Sequence, residues 1–239
     1  KTWYVPSNAT LAIVGDFDSA AAKQLVEKWF ASLPASQKPT AVKVPAPPQK
    51  PATANVDDSF AKLKQVTWAW HSPANFGEGD AELDIVANAL GAEGRGRLYK
   101  QLVYDKQLAQ SVRVGQDGSQ FSGQFSVTVT LRTGASLDDV KKIVFAELDR
   151  VGKENLSDKE ISRVIASNEA AMIYRLEGLN ARANTLQAYN HYLGDPGKLT
   201  WDLDRYRKTT PDKIRASAAK FIVPANAVTI ITNPTGGAK

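Results

Sequence analysis

Proline is concentrated in one place: six of the chain's twelve prolines stand between Pro34 and Pro51, with mostly alanine and lysine between them. Proline has no backbone N–H and a fixed φ, so such a stretch can enter neither a helix interior nor a central strand. It reads as a semi-rigid linker over residues 34–51, extended in polyproline geometry. The 239-residue chain is thereby divided into residues 1–33 and 52–239.

Before the linker, Thr10–Val14 is an apolar run led in by Pro6 and closed by Gly15-Asp16, the pattern of a buried strand. Asp18 or Ser19 then caps a helix with Ala22, Leu25, Val26 and Phe30 on one stripe, stopping before Pro34. After the linker, Val66, Trp68 and Trp70 alternate with Gln65, Thr67 and Ala69, as in a strand with one large apolar face. Helices are expected over Ala81–Leu90 and Arg97–Tyr104, joined by the glycine-rich turn Gly91–Gly96. Leu108–Val114 and Phe121–Leu131 form a hairpin about Gln116–Ser119. Ser136 caps a helix over Leu137–Val151, and Ser157-Asp158-Lys159-Glu160 is a capping box for a long helix ending near Leu176. A further helix runs from Gly178 to Leu193, another starts at Thr210-Pro211, and a strand spans Ala227–Thr232. The order after the linker predicts an α+β fold, with helices packed on one face of a mostly antiparallel sheet.

The two ends repeat each other. Val5-Pro6-Ser7-Asn8-Ala9 precedes the first expected strand, and Val223-Pro224-Ala225-Asn226-Ala227 precedes the last. In each, proline halts what comes before, asparagine makes the turn and an apolar run follows. A true repeat makes residues 1–33 the tail of one copy and residues 52–239 most of a second. Lys1 is not an initiator methionine, so the chain reads as a processed or excised piece.

The residues exclude several chemistries. With no cysteine, a disulfide scaffold, a thiolate metal site and a cysteine nucleophile are ruled out. The two histidines, His71 and His191, are far apart in sequence, and neither stands in His-x-x-Glu-His, the pattern that sets two ligands beside a general base. His71 reads as a strand-end residue and His191 as an ordinary helix residue. Gly91–Gly96 follows a helix where a dinucleotide cradle follows a strand, and no Gly-x-Ser-x-Gly elbow occurs. No carboxylates stand out as an isolated pair on an apolar face. The net charge of +5 is scattered along the chain, which argues against a nucleic-acid face. No apolar run is long enough to span a membrane. Trp68, Trp70 and Phe76 read as core, with a peptide-contacting wall as the alternative.

The whole pattern resembles the pitrilysin/insulinase family of zinc metallopeptidases, which includes processing peptidases and bacterial paired peptidases. Three stretches carry the likeness: Tyr4-Val5-Pro6-Ser7-Asn8-Ala9-Thr10-Leu11 with Val14-Gly15-Asp16-Phe17, the stretch Gly96-Arg97-Leu98-Tyr99-Lys100-Gln101-Leu102-Val103-Tyr104-Asp105-Lys106-Gln107-Leu108-Ala109, and the closing strand. The resemblance implies two homologous α+β domains in the parent protein, with residues 1–33 ending the first and 52–239 forming the second, non-zinc one. It implies zinc in the missing first domain, on His-x-x-Glu-His and a downstream glutamate. No cofactor, metal ligand or catalytic residue carries over to this piece, which is expected to be inactive alone.

Family members place a substrate-contacting arginine and, seven residues later, a tyrosine in the second domain or a partner subunit. Here those positions are Val103 and Gln110, and neither side chain makes a guanidinium's forked contacts or carries a phenol. Two parents fit. One is the zinc-bearing endopeptidase of a bacterial pair, with peptide as substrate and a homologous partner subunit or second copy supplying the pair; this is the favoured reading. The other is a structural or assembly subunit without peptidase activity. A stand-alone binding module using Trp68 and Trp70 is a third, different class. The resemblance and the absence of cysteine suit a bacterial periplasm or a membrane-associated location.

Overall fold

The computed structural model describes residues 2–45 and 50–236. These divide into two compact units: residues 2–45 with 170–200, and residues 50–169 with 201–236.

The larger unit is built on one five-stranded sheet. Its strands are β1 (Ala52–Asp58), β2 (Gln65–Ser72), β3 (Ala109–Gly118), β4 (Gly123–Leu131) and β5 (Val228–Pro234), in the spatial order β1-β5-β2-β4-β3. Only β1 and β5 run parallel; the other neighbours are antiparallel. Alternation decides the faces. Val66, Trp68 and Trp70 of β2 and Phe125, Val127 and Val129 of β4 all point to one side and are buried. Helices α2 (Asp80–Gly91), α4 (Leu137–Lys153) and α8 (Pro211–Phe221) supply Leu83, Ile85, Leu90, Val144, Leu148 and Ile214 to the same core. Trp68 meets Phe145 edge-on at 5.7 Å, and the Trp70 indole N–H donates to the Val223 carbonyl at 2.8 Å. The expected α+β layering, helices on one face of a mostly antiparallel sheet, is what the chain adopts.

The helix signals act where they stand. Ser136 accepts from the Asp139 N–H at the start of α4, and Thr210 accepts from Lys213 at the start of α8. Ser157 and Glu160 close a reciprocal capping box on α5 (Asp158–Arg175). The turn from α2 into the short helix α3 (Arg97–Tyr99) requires Gly96, where a Cβ would lie 2.5 Å from the Leu90 carbonyl oxygen. The helix expected to Tyr104 continues from α3 as a π-helical turn over Lys100–Asp105.

The smaller unit holds α1 (Ser19–Phe30), capped by Asp18, and α6 (Leu179–Leu193). It has almost no interior. Tyr189 is its one buried side chain among the described residues, and α1 buries nothing.

Several expectations are corrected. Thr10–Val14 is not a strand, because a strand needs a ladder and the smaller unit holds no other strand among the described residues. The hairpin turn lies at residues 119–122, later than Gln116–Ser119, because β3 pairs down to Gly118 opposite Gly123. β1 and α7 (Leu199–Arg207) were not anticipated. In the linker, residues 35–45 have no regular structure, while residues 46–49 lie outside the described residues. Trp68 and Trp70 are 0% and 2% exposed on the helix-covered face, which removes the binding module that would have used them.

Candidate functional site

Among the described residues, none of the larger unit's buried hydrophobic core lies on the second face of the sheet. Pairing puts Ser111, Thr130, Gln65, Thr232 and Val56 in one row across it. The next rows are Arg113, Thr128, Thr67, Ile230 and Ala54, then Gly115, Ser126, Ala69, Val228 and Ala52. A last short row joins Asp117, Gln124 and His71. Large aliphatic side chains are confined to β1 and β5, where Val56, Val228 and Ile230 are exposed. Elsewhere the face is small and hydroxyl-bearing: Thr67 and Thr128 share a hydrogen bond at 3.0 Å, and Gln65 donates to Thr130 at 3.3 Å. Arg113, His71 and Asp117 are the only titratable side chains in these rows. Such a surface can lie close against an extended polypeptide without imposing a strong charge preference.

Val103 and Gln110 stand at opposite levels of burial. Val103, in the π-helical turn, is 9% exposed and belongs to the core. Near the end of the helix expected over Arg97–Tyr104, it is buried beside Leu102. Gln110 is exposed and is the extra residue of a β-bulge, since Ala109 pairs with Leu131 and Ser111 with the adjacent Thr130. His71 is the penultimate residue of β2, on the open face, and His191 lies on α6 in the other unit, edge-on to Tyr192 at 4.8 Å. Among the described residues, no group of three or more His, Cys, Asp or Glu is arranged to hold a metal ion. Zinc therefore does not fit the side chains seen here, and no step through it is assigned to them.

Two polar clusters were missed. In the first, Arg97 grips Glu160 through two bonds of 2.7 and 2.8 Å and reaches Glu147 at 3.1 Å, while Gln101 donates to Glu147 at 3.2 Å. The guanidinium holds the Glu160 carboxyl down at about 2. Arg97 thus clamps α3 to the starts of α5 and the middle of α4. In the second, Asp80 accepts from the Phe76 N–H at 2.9 Å, from Gln116 at 3.1 Å and from Arg205 at 3.1 Å. Arg205 also binds Asp202 at 2.7 Å, and the Tyr206 hydroxyl donates to Asp84 at 2.6 Å. Burial pushes the Asp84 carboxyl up from 3.8 to about 7, with Asp80 adding repulsion. The signal was present in the sequence: Asp80 and Asp84 are one helical turn apart amid Ala81, Leu83, Ile85, Val86 and Ala87, a carboxylate pair on an apolar helix. What the sequence could not supply was Arg205 and Tyr206, brought from α7.

Comparison with known proteins fits this architecture. A family model described as the peptidase M16 inactive domain matches residues 1–168. The uncharacterized zinc protease YmxG of Bacillus subtilis is 22% identical over 235 residues, covering 98% of this chain and 56% of that protein. The peptidase M16 inactive domain from Pseudomonas fluorescens superposes with a TM-score of 0.79 at 20% identity, over 99% of this chain and 56% of that one. The periplasmic protease PqqL of Escherichia coli does so with a TM-score of 0.71 at 15% identity, over 92% of this chain and 25% of that one. The chain spans between 29% and 56% of the length of the curated relatives it matches. Among the described residues no helix is long and apolar enough to cross a membrane.

Proposed function

Because the chain belongs to the peptidase M16 inactive-domain family, we propose that it is the C-terminal, non-metal half of a zinc-dependent endopeptidase, and that its open sheet face is one wall of the chamber in which peptide substrate is enclosed. The observation that carries the reading is the one-sided sheet. A half-buried face of small hydroxyl side chains, backed by a packed core, suits a surface that accompanies an extended chain while the chemistry takes place elsewhere.

In this reading residues 1–33 complete a first homologous domain, residues 34–51 link the two, and residues 52–239 form the second. The repeat at the two ends supports it. Asn8 donates to Val5 and Asn226 to Val223, each at 2.9 Å, so both copies make the same single 3₁₀ turn. The first copy then runs on with its apolar side chains uncovered, as a strand does when its sheet belongs to another body. Zinc, with His-x-x-Glu-His, belongs to that first domain. The arginine and tyrosine that Val103 and Gln110 replace come from a homologous partner subunit or second copy. A periplasmic setting fits the periplasmic protease that shares the fold.

Zinc content of the full-length parent, purified from its source, tests the proposal. About one zinc per chain is expected, with peptide hydrolysis lost on chelation and restored by zinc once the partner is present. A full-length parent without zinc would leave the structural-subunit reading, in which the same wall serves assembly.

A further inference from the structure

On the helix side of the larger unit, a cavity of about 450 Å3 opens between the start of α2, the end of α7 and one face of α8. That volume falls in the range of about 300–1,000 Å3 usual for small-ligand sites. Its construction is uneven in a way that packing alone does not require. The floor is Arg205, whose guanidinium is fixed by Asp80 and Asp202 and stacks against the rings of Phe76 at 5.0 Å and Trp201 at 5.5 Å. Phe76 is held at φ 63, a backbone conformation that bulky side chains rarely adopt and that clusters at ligand-contacting positions. Trp201 nevertheless remains 41% exposed at the rim.

Charge is sorted across the opening. Glu78 and Glu82 line the α2 side, and Lys213 and Lys220 line the α8 side. The two lysines are seven residues apart, on one face of the helix and about 10 Å apart along its axis. Ala216 and Ser217 lie between them and leave the space open. The remaining charged liners are already engaged: Lys208 pairs with Asp204 at 2.6 Å, and Glu82 accepts from the Thr209 hydroxyl at 2.9 Å. Among the described residues Glu78, Lys213 and Lys220 take part in no ion pair, the Lys220 ammonium lying over the Phe221 ring at 4.8 Å.

We propose that this cavity binds a short peptide with free amino and carboxyl ends and an aromatic side chain: the ammonium faces Glu78, the carboxylate faces Lys213 and Lys220, and the ring lies against Phe76 and Trp201. The site is distinct from the open sheet face, since none of its lining residues lies on a strand of the sheet.

The test is titration of the whole chain with Ala-Phe-Ala, followed by Trp201 fluorescence and by amide NMR shifts of residues 76–82 and 213–221. Saturable quenching is expected, absent in Trp201→Phe, with the NMR shifts retained there. N-acetylation or C-amidation of the peptide weakens binding about threefold to fivefold, the scale of an exposed ion pair. Lys213→Gln with Lys220→Gln removes the effect of amidation and keeps that of acetylation; Glu78→Gln reduces the effect of acetylation alone. Capped and free peptides binding alike, or no saturable change at all, overturns the proposal. Free phenylalanine binding as tightly as the tripeptide overturns the peptide assignment in favour of an amino acid.

Discussion

Residues 5–14 and 223–232 begin alike and end differently. Each opens with Val-Pro-x-Asn-Ala, and each folds those residues into the same turn, closed by hydrogen bonds from asparagine to valine and from alanine to proline. Beyond the turn they diverge. Val228–Pro234 is a strand held on both sides, parallel to β1 and antiparallel to β2, and its turn is pinned by the Trp70 indole. Thr10–Val14 has neither neighbour, and Leu11 and Ile13 stand 60% and 48% exposed. Local chemistry is enough to make a turn. It is not enough to make a strand, whose hydrogen bonds belong to its partners.

The largest expected effect separates the body that has a core from the one that lacks it. The Asp84 carboxyl has an ordinary value of 3.8 and sits at about 7 in the fold, so the folded state holds a proton that the unfolded chain releases. Its stabilising contribution is full below about pH 4 and is lost as the pH rises to about 7, a change of up to ~4 kcal/mol. Thermal melts of the larger unit should therefore weaken between those limits, and Asp84→Asn should flatten the dependence. Helix content from α1 in the smaller unit should not follow this titration. At the acid end Glu160 acts in reverse, because its lowered carboxyl stabilises above about pH 4.5 and that contribution fades toward pH 2.

Next in size is a matched pair of substitutions. Ile231 packs against the core and Ile13 occupies the equivalent place in the first copy. Ile231→Asp should cost about 3 kcal/mol by placing an unpaired charge there, and Ile13→Asp no more than ~0.5 kcal/mol in this chain. If residues 1–33 complete a homologous sheet in the full-length parent, Ile13→Asp becomes about as costly there as Ile231→Asp. Denaturant titration of both variants in both lengths decides it; indifference of the parent to Ile13→Asp would break the repeat argument. The smallest contrast lies at the helix caps. Thr210→Ala should lower global stability by about 1 kcal/mol, whereas Asp18→Ala should fray only α1, lowering helix content with little change in the cooperative melt.

How much of this could be read beforehand follows the same division. The caps at Ser136, Ser157 and Thr210, the alternation through Trp68 and Trp70, and the β3–β4 pairing were legible because each is a local or short-range signal. β1 was not: Ala52-Thr-Ala-Asn-Val-Asp-Asp58 has little β propensity and no alternation, emerges directly from the proline-rich stretch, and is a strand only because β5 lies beside it. Thr10–Val14 failed in the opposite sense, with every local property of a strand and no partner. The open face was implied once the alternation of β2 and β4 was known, yet its rows required the register. Arg97 and Arg205 each draw together carboxylates distant in sequence, and nothing local announces such a meeting.

The strand order carries a consequence in time. β5 stands between β1 and β2, and β1 has no other neighbour in the sheet. The antiparallel run of β2, β4 and β3 can assemble from nearby residues, but Ala52 must wait for Val228, one of the longest loop closures the fold demands. A chain emerging from the ribosome would hold β1 idle until Val228 has been made, its edge open to any passing strand. The alanines, the asparagine and the paired aspartates of β1 are then the residues of a segment that must stay unattractive until its one partner arrives.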